Sequence, residues 1–288
     1  MLLSWVLTLQ PAETVSTPVN LGRAAHAWFL TLVRQADPAL AEELHAGHGQ
    51  RPFTLSNLWP LDWRRKGELT LSPQQSYHLR LTSFSARLSA LLRQQVMPHL
   101  PPALTLGQAE MHITASTTDP AAHAWAGQDT FEGLVQRHTL AAHCPNRVGL
   151  RLVSPTLFRS ENKNVPLPLP GLVFGSLLDR WNAFAPVQLQ PEVRRFAQEC
   201  LAISRYRLET VAVTFGDDGA HGRLAGCLGS IHYAVLVRDR YWNGLIQLLA
   251  AFSFYAGLGL RTSMGLGQAR ALPEKAPGDG AGPGWPLD

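Results

Sequence analysis

Gly257-Leu258-Gly259-Leu260-Arg261-Thr262-Ser263-Met264-Gly265-Leu266-Gly267 carries two Gly-Leu-Gly units five residues apart. An apolar stretch, Arg240 to Ala256, precedes it and reads as a long helix; Gln268 to Leu272 follows and reads as a strand. Four glycines in eleven positions permit positive φ and close backbone approach. Arg261, Thr262 and Ser263 fall at the tip, where backbone N–H groups and hydroxyls could meet phosphates. A dinucleotide fingerprint is excluded, because its third glycine would fall on Thr262 or Arg270 and the loop follows a helix where a strand is needed. A P-loop is excluded too, since no Gly-Lys-Ser/Thr occurs. A helix C-cap followed by a tight turn accounts for the glycines equally well.

Working outward, Trp5 to Leu9 alternates like a strand. Gly22 to His45 has helical spacing broken at Asp37-Pro38, which predicts two helices. Strands are expected at Pro52 to Ser56, Glu68 to Leu71 and Tyr77 to Phe84, then a helix from Ser85 to Met97 capped by Ser85, then a strand from Ala103 to Ser116. The order is β-α-β-β-α-β with one strand to spare, the ferredoxin-like arrangement. Asp119 to Pro145 is less regular, and a domain boundary is expected near residue 145. The second half repeats the inventory. Val148 to Phe158 reads as a strand, followed by a loop studded with Pro166, Pro168 and Pro170. Helices are expected at Gly171 to Ala185 and Pro191 to Cys200, and strands at Leu208 to Phe215 and Cys227 to Leu236, ahead of the long helix and closing strand. The expectation is an α+β protein of two tandem ferredoxin-like (RRM-like) domains, 1–145 and 146–273. Residues 274–288, with four Gly and three Pro, read as a flexible tail.

The chain has 288 residues, 45% apolar and 16% charged, enough to bury two cores. A net charge of +4 permits a nucleic-acid partner without demanding one. Only Lys66, Lys163 and Lys275 are lysines; the other basic residues are arginines, suited to bidentate phosphate contacts. Cys144, Cys200 and Cys227 are far apart with no C-x-x-C, which argues against a zinc site or disulfide framework and for a reducing compartment. The start lacks a basic region and cleavage site, and the apolar run from Gly244 to Gly259 is broken by Gln247 and too short to span a bilayer. A cytoplasmic protein with no membrane partner is expected.

Most of the eleven histidines have ordinary readings: His78, His112 and His232 in strand patterns, His99 past a helix end, and His123, His138, His143 and His221 in or near irregular segments. His45 differs, because it sits at a helix end before a Gly-rich loop containing Gly47 and Gly49. His48 makes an H-x-x-H with it, but no third ligand is suitably spaced, so no metal is assigned. His26 lies nineteen residues before His45, about 28 Å along an unbroken helix. The break at Asp37-Pro38 permits the two rings to approach. Candidate phosphate contacts are Arg64-Arg65-Lys66, Arg159, Lys163, Arg194-Arg195 and Arg261, each weighed against a solvated charged face. Trp59, Trp63 and Phe158 could stack on bases or fill the core.

The spacing Gly-Leu-Gly-x5-Gly-Leu-Gly near the C-terminus resembles the signature of the RAMP superfamily of CRISPR proteins. Within it, the chain is similar to the CRISPR-associated endoribonuclease that processes repeat RNA, the sixth Cas family. Leu44-His45-x5-Arg51-Pro-Phe-Thr-Leu-Ser56 resembles that family's Leu-His, basic residue, Phe-Thr-x-Ser pattern. Leu152 to Arg159, Phe174 to Trp181 and Tyr255 to Gly267 also look like family segments, so the resemblance runs from about Leu3 to Arg270. Members place a second His or a Tyr upstream. The tyrosine position falls here on Leu30, which makes His26 the candidate partner of His45.

The resemblance implies a metal-independent endoribonuclease without cofactor, acting on the CRISPR precursor transcript and leaving a 2′,3′-cyclic phosphate and a 5′-OH. His45 and His26 would serve as general base and acid in either order, and Arg51 would stabilise the phosphate charge. Arg159, Lys163 and the loop residues Gly257, Gly259, Arg261, Thr262, Ser263, Gly265 and Gly267 would bind RNA. A CRISPR effector complex and a second copy of the chain are further expected partners. The rival readings are a non-catalytic RNA-binding scaffold subunit of such a complex and a small-molecule enzyme using the glycine loop for a phosphate-bearing cofactor.

Overall fold

A computed structural model describes residues 1–46, 49–65, 67–140, 144–214 and 223–273. Gly47, His48, Lys66, His143, Phe215, His221 and the expected tail 274–288 lie outside the described residues. The chain divides into two compact units. Of the described residues, the first holds those of Met1–Thr130, Thr214, Arg223 and, from the far end of the sequence, Arg261–Leu266; the second holds those of Phe131–Val213, Leu224–Leu260 and Gly267–Pro273.

The first unit runs β1 (Leu2–Pro11), β2 (Val15–Pro18), α1 (Gly22–Ala36), α2 (Pro38–Ala46), β3 (Phe53–Leu55), β4 (Glu68–Leu71), β5 (Tyr77–Ser83), α3 (Ala86–Leu91), β6 (Ala103–Leu106), β7 (Ala109–Thr117) and β8 (Gly127–Asp129). Its antiparallel sheet has the order β3-β5-β1-β7-β6, with β8 also on β1. Stripped of the β6 and β8 additions, this is the ferredoxin-like order. Leu3, Trp5, Leu7 and Leu9 of β1 alternate onto one face and pack in a core with Ala25, Phe29 and Val33 of α1. On the other face Arg80 is fully buried. Its Nε donates to Ser4 Oγ at 2.8 Å and to the Trp125 carbonyl at 3.1 Å, and its guanidinium lies 5.0 Å from the Trp125 ring. The expected single strand from Ala103 to Ser116 is a hairpin, folded at Gly107 with φ 63°.

The second unit runs α4 (Phe131–Thr139), β9 (Arg147–Thr156), β10 (Phe158–Ser160), β11 (Lys163–Val165), α5 (Pro170–Phe184), α6 (Glu192–Cys200), β12 (Leu201–Thr214), β13 (Arg223–Val235), α7 (Arg240–Ala256) and β14 (Ala269–Leu272). Its sheet order, β12-β13-β9-β14, is again ferredoxin-like. Phe131 meets Trp181 edge-on at 5.0 Å and Phe252 at 5.8 Å, so α4 packs with this core. The first passage between units therefore falls at Thr130/Phe131, upstream of residue 145. The proline-studded stretch holds an unexpected hairpin, β10–β11, whose two turn residues Glu161 and Asn162 have φ 47° and 61°. No helix among the described residues is long and apolar enough to cross a membrane.

Candidate active site

Asp37-Pro38 ends one helix and starts the next. Pro38 lacks the N–H that a first helical residue leaves unpaired anyway, and Asp37 accepts a hydrogen bond from Leu40 N at 2.9 Å. That bond, with Arg87, holds the Asp37 carboxyl below its ordinary range. The second helix folds back on α1. Leu40, Ala41 and Leu44 face the core, which leaves His45, in the last turn, exposed. Arg51 donates through Nη1 to the Leu44 carbonyl, one of the helix-end acceptors without an intrahelical partner. The arginine is thus tethered to the residue beside His45, and partial burial lowers its pKa.

Gly22, Ala25, His26, Phe29, Leu30 and Val33 form the buried stripe of α1 at i, i+3, i+4, i+7 spacing. His26 therefore points inward, 9% exposed. Its ring stacks on Phe53 at 5.7 Å and 23°, and its Nδ1 lies 3.0 Å from the Ser263 carbonyl oxygen. Burial pushes its pKa below the usual imidazole value. The Ser263 carbonyl opposes the shift, and the charges of Arg51 and His45 add to it. The charges of Arg51 and His45 thus reach His26 within the first unit.

The Phe53-Thr-Leu-Ser56 strand has a structural reason for each residue. Phe53 contacts both His26 and Phe29, with the Phe29 ring at 4.7 Å. Thr54 and Ser56 hydrogen-bond to β5, and Leu55 and Ser56 receive Gly265 at their edge. Asn57 then accepts from Leu21 N at 3.0 Å and donates to the Val19 carbonyl at 2.8 Å, fixing the entry to α1.

The glycine loop is divided between the units, Gly257–Leu260 and Gly267 with the second and Arg261–Leu266 with the first. Gly257, Gly259, Gly265 and Gly267 all have positive φ. In the second unit a Cβ on Gly259 would lie 2.0 Å from the Leu157 carbonyl oxygen. Arg180, buried in α5, donates to the carbonyls of Gly257, at 3.0 Å, and Gly259. Burial lowers its pKa to about 10. Sequence reading missed this clamp. Its signal was an arginine inside the apolar helical stripe of Val173, Phe174, Leu177 and Trp181.

Of the three tip residues only Arg261 is exposed; Thr262 and Ser263 are buried, and Ser263 contributes its carbonyl. Arg159 and Lys163 are exposed on the β10–β11 hairpin. The pairings Arg159↔Asn164 and Ser160↔Lys163 put them at register positions on opposite faces. Trp59, Trp63 and Phe158 are buried, so of the two readings offered for them the core one holds. Arg194 is paired with Asp179 at 2.7 Å and Arg64 with Asp62 at 3.7 Å. Among the described residues no group of three or more His, Cys, Asp or Glu is placed to hold a metal ion.

The comparisons with known proteins agree with this architecture. The family model described as CRISPR Cas6 N-terminal domain matches residues 1–136, and the one described as CRISPR-associated endoribonuclease Cas6 matches residues 150–269. A CRISPR-associated endoribonuclease Cas6 of Streptococcus thermophilus is 29% identical over 118 residues, 40% of this chain and 46% of that protein. One of Mycobacterium tuberculosis is 27% identical over 126 residues, 43% of this chain and 38% of that protein. The matched stretch thus spans less than half the length of either relative. A solved Cas6 product complex superposes with a TM-score of 0.78 at 27% identity, covering 94% of this chain and all of that one. A Thermus thermophilus Cas6 superposes at 0.70 with 25% identity, covering 94% of this chain and 98% of that one. The chain belongs to the Cas6 family of CRISPR-associated endoribonucleases.

Proposed function

We propose that this protein is an endoribonuclease that cleaves CRISPR repeat RNA without a metal ion. The RNA carries its own nucleophile. In this reading a base removes the proton of the ribose 2′-OH, and the 2′ oxygen attacks the adjacent phosphorus. The P–O5′ bond breaks, and an acid protonates the leaving oxygen. The products are a 2′,3′-cyclic phosphate and a 5′-OH, and every proton is accounted for by two imidazoles.

What supports the proposal is the fold of α2 back on α1, with Arg51 held on the Leu44 carbonyl beside His45, so that the charges of both reach His26. His26, held neutral by burial, suits the base. His45, exposed at a helix end, suits the acid. Arg51, tethered beside it, suits stabilisation of the phosphorane charge. Arg159, Lys163 and Arg261 are exposed cations suited to phosphate contacts along the strand.

The test is cleavage of the cognate repeat RNA in EDTA by the wild type and by His45→Ala. The wild type is expected to cut, and the variant to lose on the order of 10²–10⁴-fold in rate. Undiminished cutting by the variant would remove His45 from the mechanism. Binding with no product from the wild type would favour the scaffold reading.

A further inference from the structure

The second half of the glycine loop is built around His26. Arg261 at φ 56° and Gly265 at φ 94° bracket a single 3₁₀ turn, Thr262–Met264. The turn is held on two sides. Gly265 N donates to the Leu55 carbonyl at 3.0 Å, and Gly265 bridges Ser56 in parallel. On the other side Gly22, the first residue of α1, is so close that a Cβ there would lie 2.0 Å from the Met264 carbonyl oxygen. These two walls are the elements that carry Phe53 and His26. Between them the Ser263 carbonyl meets His26 Nδ1 at 3.0 Å.

We infer that the backbone carbonyl of Ser263 is a positioning group for RNA cleavage, held in place by Gly22 and Gly265 so that His26 keeps its proton on Nδ1 and presents an unprotonated Nε2 as the base. A carbonyl oxygen can only accept, so the ring nitrogen facing it must carry hydrogen. Whichever nitrogen is fixed in this way leaves the other to do the chemistry. Phe53 stacking fixes the plane of the ring, and the carbonyl fixes its rotation within that plane. The glycines of this segment are thereby explained without phosphate. Gly22 permits the close approach and Gly265 the left-handed exit from the turn. The inference rests on the proposed role of His26 as base.

The experiment has two arms, both on the full chain. First, two-bond ¹H–¹⁵N spectra of histidine-labelled protein near neutral pH, with the His26 signals assigned by their loss in His26→Asn. The expected result is an Nδ1–H, Nε2-unprotonated ring; an Nε2–H tautomer overturns the inference, and this arm needs no variant to be active. Second, Gly22→Ala in single-turnover cleavage of repeat RNA, with RNA affinity and thermal melting measured alongside. The added methyl must displace the turn. The expected result is a rate at saturating RNA lower on the order of 10²-fold. The acidic inflection of its pH profile also moves, because the burial of the ring and the Ser263 carbonyl, the two largest influences on the His26 pKa, both change. A folded Gly22→Ala protein with the wild-type rate and inflection overturns the inference. Undiminished cleavage by His45→Ala would instead overturn the cleavage mechanism, and the tautomer result would stand apart from it.

Discussion

The Nδ1 of His26 lies 3.0 Å from the carbonyl oxygen of Ser263, a residue 237 positions further along the chain. That contact joins the first helix to the glycine loop within one unit, and with burial it sets the charge state of the ring. Burial is the larger influence and lowers the pKa below 6.5. A step that needs neutral His26 is therefore fully available above that lowered pKa and is lost as pH falls through it. Single-turnover rates across the acid range should show an inflection below 6.5. An inflection at or above that value would place the titrating base elsewhere.

Arg51 combines a charge with a tether to the Leu44 carbonyl. Arg51→Ala should reduce the cleavage rate by about 10²–10³-fold, the usual consequence of deleting one group that stabilises developing charge. Arg51→Lys should fall between wild type and Arg51→Ala, since it keeps the charge and loses the planar fork. Equal rates for all three proteins, measured with saturating RNA, would exclude Arg51 from the site.

Much of this architecture is legible in the sequence because local signals and tertiary packing agree there. Asp37-Pro38 marks the helical hairpin, Ser85 caps α3 through Leu88 N, and the long helix ends at Gly257. Where packing depends on distant partners, the sequence is silent. The early part of β12 is exposed and charged at Arg205 and Arg207, so it lacks the alternation that marks a strand; pairing with β13 makes it one. The residues Phe131–Thr139 read as irregular and become a helix on the Trp181–Phe252 core. At the candidate site, His45 and Arg51 stand out through the resemblance of Leu44 to Ser56 to the family pattern, and His26 through its place upstream of it. The Ser263 carbonyl is a backbone atom and has no sequence signal of its own.

Arg180 supports the first half of the glycine loop. Arg180→Met would leave the carbonyls of Gly257 and Gly259 without their donors. The expected loss is about 1–3 kcal/mol for each buried acceptor left unsatisfied, read from the urea midpoint. A change within about 0.5 kcal/mol would mean that the loop holds its shape without the clamp.

His123 and His78 lie with ring centroids 4.9 Å apart. Trp125 N donates to His123 Nδ1 at 3.1 Å, an arrangement that requires the neutral ring. Burial, with the charges of His78 and Arg80, lowers the His123 pKa to about 4. The unfolded chain then binds the proton more readily than the folded one. This contribution to stability is full above 6.5 and is lost as pH falls towards about 4. His123→Asn keeps an acceptor for Trp125 N and does not titrate. Urea midpoints at stepped pH should decline less steeply for this variant than for the wild type. Parallel curves would show that His123 carries no acid sensitivity.

The proposed mechanism has the substrate's own 2′ oxygen perform the cleavage. Its most direct test is a repeat RNA with a single 2′-deoxy substitution at the nucleotide preceding the scissile phosphate, incubated with the wild-type protein. This RNA is expected to bind normally and to stay uncut at that linkage, while the all-ribose RNA yields a cyclic phosphate end. Cleavage of the deoxy-substituted linkage would contradict it.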